Sequence, residues 1–274
     1  MPELPEITIL AQQMNKEIVS KRIDAIEARQ PKNLNIPVKD FEKGVLGRTI
    51  SQVTNRGKWI FINLDQSYFM LVNLGMGAEI LYFQVNQKLP EKYHFKIIFS
   101  DCTGFTILFW WFGYVHLVQG SDMEKHKMTA QLGISPTEKV FTLGHFRELL
   151  ANKKTGVKSF LMDQKNVAGI GNVYIQDILF RARLHPNQKI SCLSEEKTHE
   201  LYKSILITLR QSIKLKGLAY ERDFYGHKGN FTSNEFLVGY KEGKPCPVCG
   251  TIIEKIRTGS TSTYICPKCQ VIKM

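Results

Sequence analysis

A proline directly after the initiating methionine gives this 274-residue chain an unusual reagent. Met before Pro is normally removed, and Pro2 would then be a free secondary amine. Such an amine is nucleophilic and less basic than a lysine, since terminal amines titrate near ~8. It can attack an aldehyde-like carbon and form an iminium, as lysine does in Schiff-base enzymes. Glu3 lies beside it, suited to proton transfer. The same opening also fits a plain turn or helix start. A second group with chemistry is Cys246, Cys249, Cys266 and Cys269, spaced C-P-V-C-x16-C-P-K-C. Two CxxC knuckles can present four thiolates to one tetrahedral zinc ion. Two disulfides are the alternative, against which stand a reducing cytosol and the two further cysteines, Cys102 and Cys192. A fully coordinated zinc is structural: a staple for a small domain, with no catalytic role.

Three weaker clusters carry possible contacts. Residues 166–172 (NVAGIGN) place two glycines ahead of a helical segment. Such a turn exposes backbone amides, and with Asn172 it could hold a phosphate; a packing corner between helices fits equally. Residues 55–59 (NRGKW) put Lys58 on a basic tip before a strand, which a solvated hairpin also explains. Residues 74–77 (LGMG) and 110–113 (WWFG) carry apolar side chains on loops. These could wedge into a base stack, or they could be core.

The elements that must position these groups change character along the chain. Residues 5–20 read as an amphipathic helix, with Ile9, Met14 and Ile18 near helical spacing. Seven short β-rich runs follow through residues 22–111, divided by Gly, Asn, Asp and Pro. That is the rhythm of a sandwich or barrel. From about 131 the pattern turns helical: residues 141–153, 173–184 and 194–216, the last with Ser194 as N-cap and Glu195 and Glu196 in its first turn. Lys197 stands where a full capping box needs an acid or Gln. Residues 218–240 are polar, with DFYGHKGNFTSN as an expected mobile loop.

Composition narrows the partners. Apolar residues are 43% and charged residues 23% of the chain, the balance of a globular protein. The longest apolar stretch, residues 105–118, is too short to span a bilayer, and acidic Glu3 and Glu6 spoil a secretory signal. A secreted or membrane protein is not expected. The net charge of +12 is uneven. Residues 1–130 carry 15 basic and 13 acidic side chains; residues 131–274 carry 22 and 12. A basic C-terminal half points to a polyanion, either nucleic acid or an anionic membrane surface; a generic basic surface is the bland reading.

Order and company make these motifs specific. MPELPE at the start, RGK near 57, LGM near 75, FLMDQKNVAGIGNVYIQDILFRARLHP in the middle and the terminal cysteine pairs together resemble the formamidopyrimidine-DNA glycosylases, of the superfamily shared with endonuclease VIII. The resemblance runs from Pro2 to Gln270. It implies an α+β, multi-domain fold: a β-sandwich with a leading helix over residues 1–130, a helix–two-turn–helix domain over 131–239, and a zinc ribbon over 240–274. It implies that double-stranded damaged DNA lies between the halves and that an oxidised or ring-opened purine is flipped out. Pro2 would attack sugar C1′, and β- and δ-elimination would cut the strand on both sides. Glu3 matches the acid of ring opening and proton transfer, and Lys58 the lysine near the lesion phosphate. Asn172 matches a phosphate-gripping asparagine, Lys158 a lysine of the DNA groove, and Met76 and Phe112 two residues that fill the vacated stack. The one cofactor implied is structural zinc. A cytoplasmic, nucleoid-associated monomer without membrane contact is expected.

Departures from the pattern bear on specificity. Thr261 stands five residues before Cys266, where the family has a phosphate-gripping arginine; Arg257, across the turn, is the expected substitute. Trp110 stands where the family usually has an arginine reading the cytosine opposite the lesion. Gly-Ala-Glu follows Met76 in place of a serine-rich segment, and the 218–240 loop is about two residues short. These leave two rival readings: a glycosylase of altered specificity, for alkylated or bulky bases or abasic sites alone, and a largely non-catalytic lesion- or structure-binding protein.

Overall fold

Runs such as residues 59–64 alternate buried and less buried side chains, as a strand with one face on a core requires. In the computed structural model, which describes residues 2–65 and 67–272, eight such strands build the N-terminal part. β1 (Ile23–Ala28), β6 (Phe95–Phe99), β7 (Gly104–Leu108) and β5 (Glu79–Phe83) form one antiparallel sheet in the spatial order β1-β6-β7-β5. β2 (Ile50–Arg56), β3 (Trp59–Leu64), β4 (Tyr68–Asn73) and β8 (Tyr114–Gln119) form the other, in the order β2-β3-β4-β8. The two make a β-sandwich, with Ile60, Ile62, Phe95, Ile97, Phe105, Ile107, Val115 and Leu117 in its core. Helix α1 (Leu4–Ile18) packs on β2 and β3 through an apolar stripe that includes Ile7, Leu10, Met14 and Ile18.

Two elements here escape the sequence pattern. The apolar stretch 105–118 is not one strand: β7 stops at Leu108 and β8 starts at Tyr114. Between them residues 110–112 leave the sheet, because Gly113 permits a close approach that a Cβ would block at 2.1 Å from the Phe109 ring. Helix α2 (Val38–Val45) carries Gly44, a poor helix former. Its side-chain-free position is required, since a Cβ there would fall 2.3 Å from Leu117.

The chain divides by internal packing into two units, residues 1–131 with 215–230 and residues 132–214 with 231–274. Residues 215–230, grouped by sequence with the helical domain, therefore pack with the sandwich. Residues 223–230 of the expected mobile loop are bolted there. Phe224 is fully buried in the sandwich core, its N–H donates to Gln13 Oε1 at 2.9 Å, and Tyr82 N donates to its carbonyl at 2.8 Å.

The second unit contains α3 (Leu143–Leu150), α4 (Val157–Met162), α5 (Ile175–Arg181) and α6 (Glu195–Lys214), then the hairpin of β9 (Glu254–Thr258) and β10 (Thr261–Ile265). The Ser194 Oγ does cap α6, accepting the Lys197 N–H at 3.2 Å. The Asp177 carboxylate on α5 gathers the approach to the ribbon, accepting N–H groups of Leu237, Val238 and Gly239 at 2.8–3.0 Å. Gln270 Nε2 donates to the Leu184 carbonyl at 2.9 Å and ties the ribbon's end to the helices. No helix among the described residues is long and apolar enough to cross a membrane.

Candidate nucleic-acid interface and reactive terminus

The reactive candidates of the first unit gather at the start of α1. Glu3 is its N-cap and forms a reciprocal capping box with Glu6: the Glu3 side chain accepts the Glu6 N–H, and Glu3 N donates to Glu6 Oε2 at 2.9 Å. Pro2, Glu3 and Glu6 are all buried. The other oxygen of Glu6 accepts the Leu218 N–H at 3.1 Å. Gly217 makes that approach possible, with φ of +80° and a would-be Cβ 3.1 Å from Glu6 Oε1. The expected removal of Met1 falls on a residue outside those described.

Lys58 follows Gly57 in the β2–β3 turn and is half-buried. Asn73 couples this turn to the next loop: its Nδ2 donates to the Lys58 carbonyl at 3.0 Å, and its Oδ1 accepts the Gly75 N–H at 3.0 Å. The loop at 74–77 and the loop at 110–113 interlock through glycine. A Cβ on Gly75 would sit 1.6 Å from the Phe112 carbonyl oxygen, and one on Gly77 3.3 Å from the Trp110 Cβ. Together they present Met76, Trp110, Trp111 and Phe112, exposed by 39%, 73%, 77% and 40%. Such a cluster of exposed large apolar groups marks a contact surface. The sequence offers 110–113 as a loop cluster but assigns Trp111 no role of its own; it is the most exposed of the four.

Behind Lys58, Trp59 is buried and stacked on Tyr114, with the rings of His116 and His126 against it. His116 Nδ1 and His126 Nε2 lie 2.9 Å apart, and His126 Nδ1 bonds Thr129 Oγ1. Burial, and then the neighbouring His126, push His116 down to about 4.

The second unit brings Lys158, Asn172 and the hairpin together. Gln164 braces the glycine turn, donating to the Ile170 carbonyl at 2.9 Å and accepting the Gly169 N–H at 2.8 Å. Gln176 holds Asn172, donating to its backbone oxygen at 2.8 Å and its Oδ1 at 3.2 Å. The same side chain donates to the Ser262 carbonyl at 3.3 Å and accepts the Tyr264 N–H at 3.0 Å. Neither Gln164 nor Gln176 carries a charge or metal-binding signal that sequence could single out.

Lys158 is not placed as a groove cation. It is 3% exposed, and its ammonium donates to the hydroxyls of Thr258 (3.1 Å), Thr261 (2.8 Å) and Thr263 (2.7 Å). Burial pushes it down to about 8. Arg257 is not placed as the substitute at Thr261 either. The hairpin pairs Thr258 with Thr261 and Arg257 with Ser262. Cross-strand partners share a face and neighbours alternate, so exposed Arg257 lies on the other side from the threonines. The cation at Thr261 is Lys158.

The four cysteine sulfurs lie within 4.8 Å of one another, with separations of 3.9 Å (Cys246–Cys269), 3.4 Å (Cys249–Cys266) and 3.5 Å (Cys249–Cys269). A tetrahedral ion with Zn–S bonds of about 2.3 Å needs edges of about 3.8 Å. The donors fit zinc. They are the one cluster of three or more potential ligands among the described residues.

Three family models tile the chain in this order: the formamidopyrimidine-DNA glycosylase N-terminal domain at 1–109, its H2TH domain at 132–222, and the zinc finger found in FPG and IleRS at 243–271. The formamidopyrimidine-DNA glycosylase of Pelotomaculum thermopropionicum is 33% identical over 281 aligned residues, covering all of both chains. The chain belongs to the formamidopyrimidine-DNA glycosylase family. The Bacillus subtilis glycosylase of that name is 32% identical, again over all of both chains. The Lactococcus lactis glycosylase, solved with DNA containing an abasic site, superposes with a TM-score of 0.88 at 28% identity, covering 98% of this chain and 99% of that one. The same glycosylase with DNA containing FAPY-dG gives 0.88 at 28%, covering 98% and 100%. As a member of this DNA-repair glycosylase family, the chain is a DNA-binding enzyme with a zinc-finger segment.

Proposed function

We propose that this glycosylase removes oxidised or ring-opened purines, 8-oxoguanine and formamidopyrimidine among them, from double-stranded DNA and then cleaves the abasic site. The observation that carries the reading is Pro2 at the buried, doubly capped start of α1, in a chain that matches the family from end to end. With Met1 removed, the Pro2 amine displaces the base at C1′. The resulting iminium makes the neighbouring C–H acidic, so β- and then δ-elimination release the strand ends. Glu3 moves the protons of ring opening, and Lys58 holds the lesion phosphate. Met76, Phe112 and the exposed tryptophans fill the gap left by the flipped nucleotide.

Asn172 holds a phosphate from the second unit, and Arg257 adds a sequence-independent charge. Lys158 supports the hairpin from inside. One structural zinc, on Cys246, Cys249, Cys266 and Cys269, makes the ribbon rigid enough to carry those contacts. The functional division is 1–130 for chemistry, 131–239 for DNA grip and 240–274 for the ribbon, with 215–230 serving the first. The protein acts as a monomer on nucleoid DNA in the cytoplasm. Trp110, with one indole N–H where relatives carry an arginine fork, favours a second reading in which the preferred base or its partner is altered.

Borohydride trapping tests the chemistry. Adducts with both an abasic duplex and an 8-oxoguanine·cytosine duplex, lost when the terminus is blocked by a retained Met1, are expected. Trapping on the abasic duplex alone would keep the lyase and remove 8-oxoguanine as substrate. No adduct on either, with DNA affinity intact, would leave a lesion-binding protein.

A further inference from the structure

Displacing a purine leaves a practical problem that Pro2 and Glu3 do not solve together. The departing base carries the electron pair of its bond to C1′ and needs a proton. Glu3, whose carboxylate also caps the Glu6 N–H, serves the protons of ring opening. A second carboxyl, that of Glu221, belongs to the segment that Glu6 holds. Glu6 joins Glu3 N at one oxygen and Leu218 N at the other. The Leu218 carbonyl then accepts the Glu221 N–H at 3.0 Å, closing a turn that carries residue 221 back beside the helix start. The next residue is held as well: Arg222 Nε meets Glu79 Oε1 of β5 at 3.0 Å. Two glycines let the segment fold so tightly, since a Cβ on Gly229 would fall 2.1 Å from the Gly217 carbonyl oxygen. Glu221 is half-buried, and the charges of Glu79 and Glu3 both act on it. Burial pushes its carboxyl up, against the pull of the chain's terminal amine, and the charges of Glu79 and then Glu3 add to the rise. An acid of this kind keeps its proton above the ordinary carboxylate range.

We propose that Glu221 is the acid that protonates the departing base as Pro2 displaces it. The inference rests on Pro2 being the nucleophile. The Pro2 nitrogen forms its bond to C1′ while the C1′–N bond to the base breaks, and the electron pair leaves with the base. Glu221 gives the base its proton and takes up the one that the proline nitrogen sheds. The carboxyl ends as it began, and no outside acid is consumed. The role falls on base removal alone, because an abasic site has no base to protonate.

That asymmetry supplies the test. Base excision from duplexes carrying 8-oxoguanine or formamidopyrimidine is compared, in single turnovers, with strand cleavage of an abasic duplex. General acid catalysis is typically worth ~100-fold or more. In Glu221→Gln the ratio of base excision to abasic cleavage is expected to fall at least ~10-fold, and Glu221→Asp to recover part of it. Equal losses on both kinds of duplex, or none on either, would overturn the proposal while leaving the nucleophile in place. A wild-type protein inert on every duplex would instead overturn the functional reading, and this one with it. If the Gln variant does not fold, judged by its melting curve and zinc content, Glu221→Met takes its place, and an unshifted ratio there would overturn the proposal by itself.

Discussion

At Lys158 an ammonium that the sequence offers to DNA binds three threonine hydroxyls of the protein's own hairpin. Removing it strips partners from buried hydroxyls, at a cost of ~1–3 kcal/mol. Lys158→Met is therefore expected to lower the melting temperature clearly. Arg257→Ala, at an exposed residue on the other face, should leave that temperature alone. It should weaken DNA binding across sequences and reduce the salt slope by about one. A Lys158→Met protein that melts like the wild type would contradict the buried pin. The sequence offers Lys158 as a groove lysine and Arg257 as a cation of the zinc hairpin. Which one faces the threonines is not legible there, because strand register decides it.

Loops and strands carry the next two expectations. Gly75 touches the Phe112 carbonyl, so the loops at 74–77 and 110–113 move as one element. Gly75→Ala should separate them, at a cost of ~1–3 kcal/mol for the clash and the left-handed backbone. Excision should fall with lesion binding, measured on the same duplexes, whereas Trp111→Ala should lose binding without losing stability. The ring cluster under Lys58 predicts a pH dependence. His116 is held down at about 4, against about 6.5 for an ordinary histidine. The unfolded chain then binds the proton more readily, so stability is present above about 6.5 and is lost as pH falls toward 4. Melting curves across that window should drop more steeply for the wild type than for His116→Gln. Parallel slopes would remove His116 as the source.

For the whole molecule, charge and zinc make separate demands. The charge excess lies in residues 131–274, so binding to any duplex should weaken steeply with salt, about 0.9 in the log–log slope per phosphate neutralised. Stripping zinc with a chelator should unfold the ribbon, since structural zinc commonly supplies ~10 kcal/mol or more of folding free energy. DNA affinity should fall with it. Unchanged affinity in metal-free protein would place the grip outside the ribbon.

The sequence by itself determined what depends on local order: the helix after Pro2, the alternating strands, the cap at Ser194, and the cysteine spacing that fits one ion. It also carried the family, because motifs at fixed separations need no coordinates. Tertiary structure decided what depends on contacts between distant segments. Residues 215–230 join the sandwich because Phe224 finds its core and Leu218 finds Glu6, pairings more than 100 residues apart that no local pattern encodes. Trp111 is exposed because glycine contacts end β7 early, and Lys158 is buried because the hairpin register turns three threonines toward it. Glu221 lies in a segment that the sequence marks only as polar. Its proposed role rests on a turn that only the tertiary structure shows, from Glu221 N–H to Leu218 and from Leu218 to Glu6.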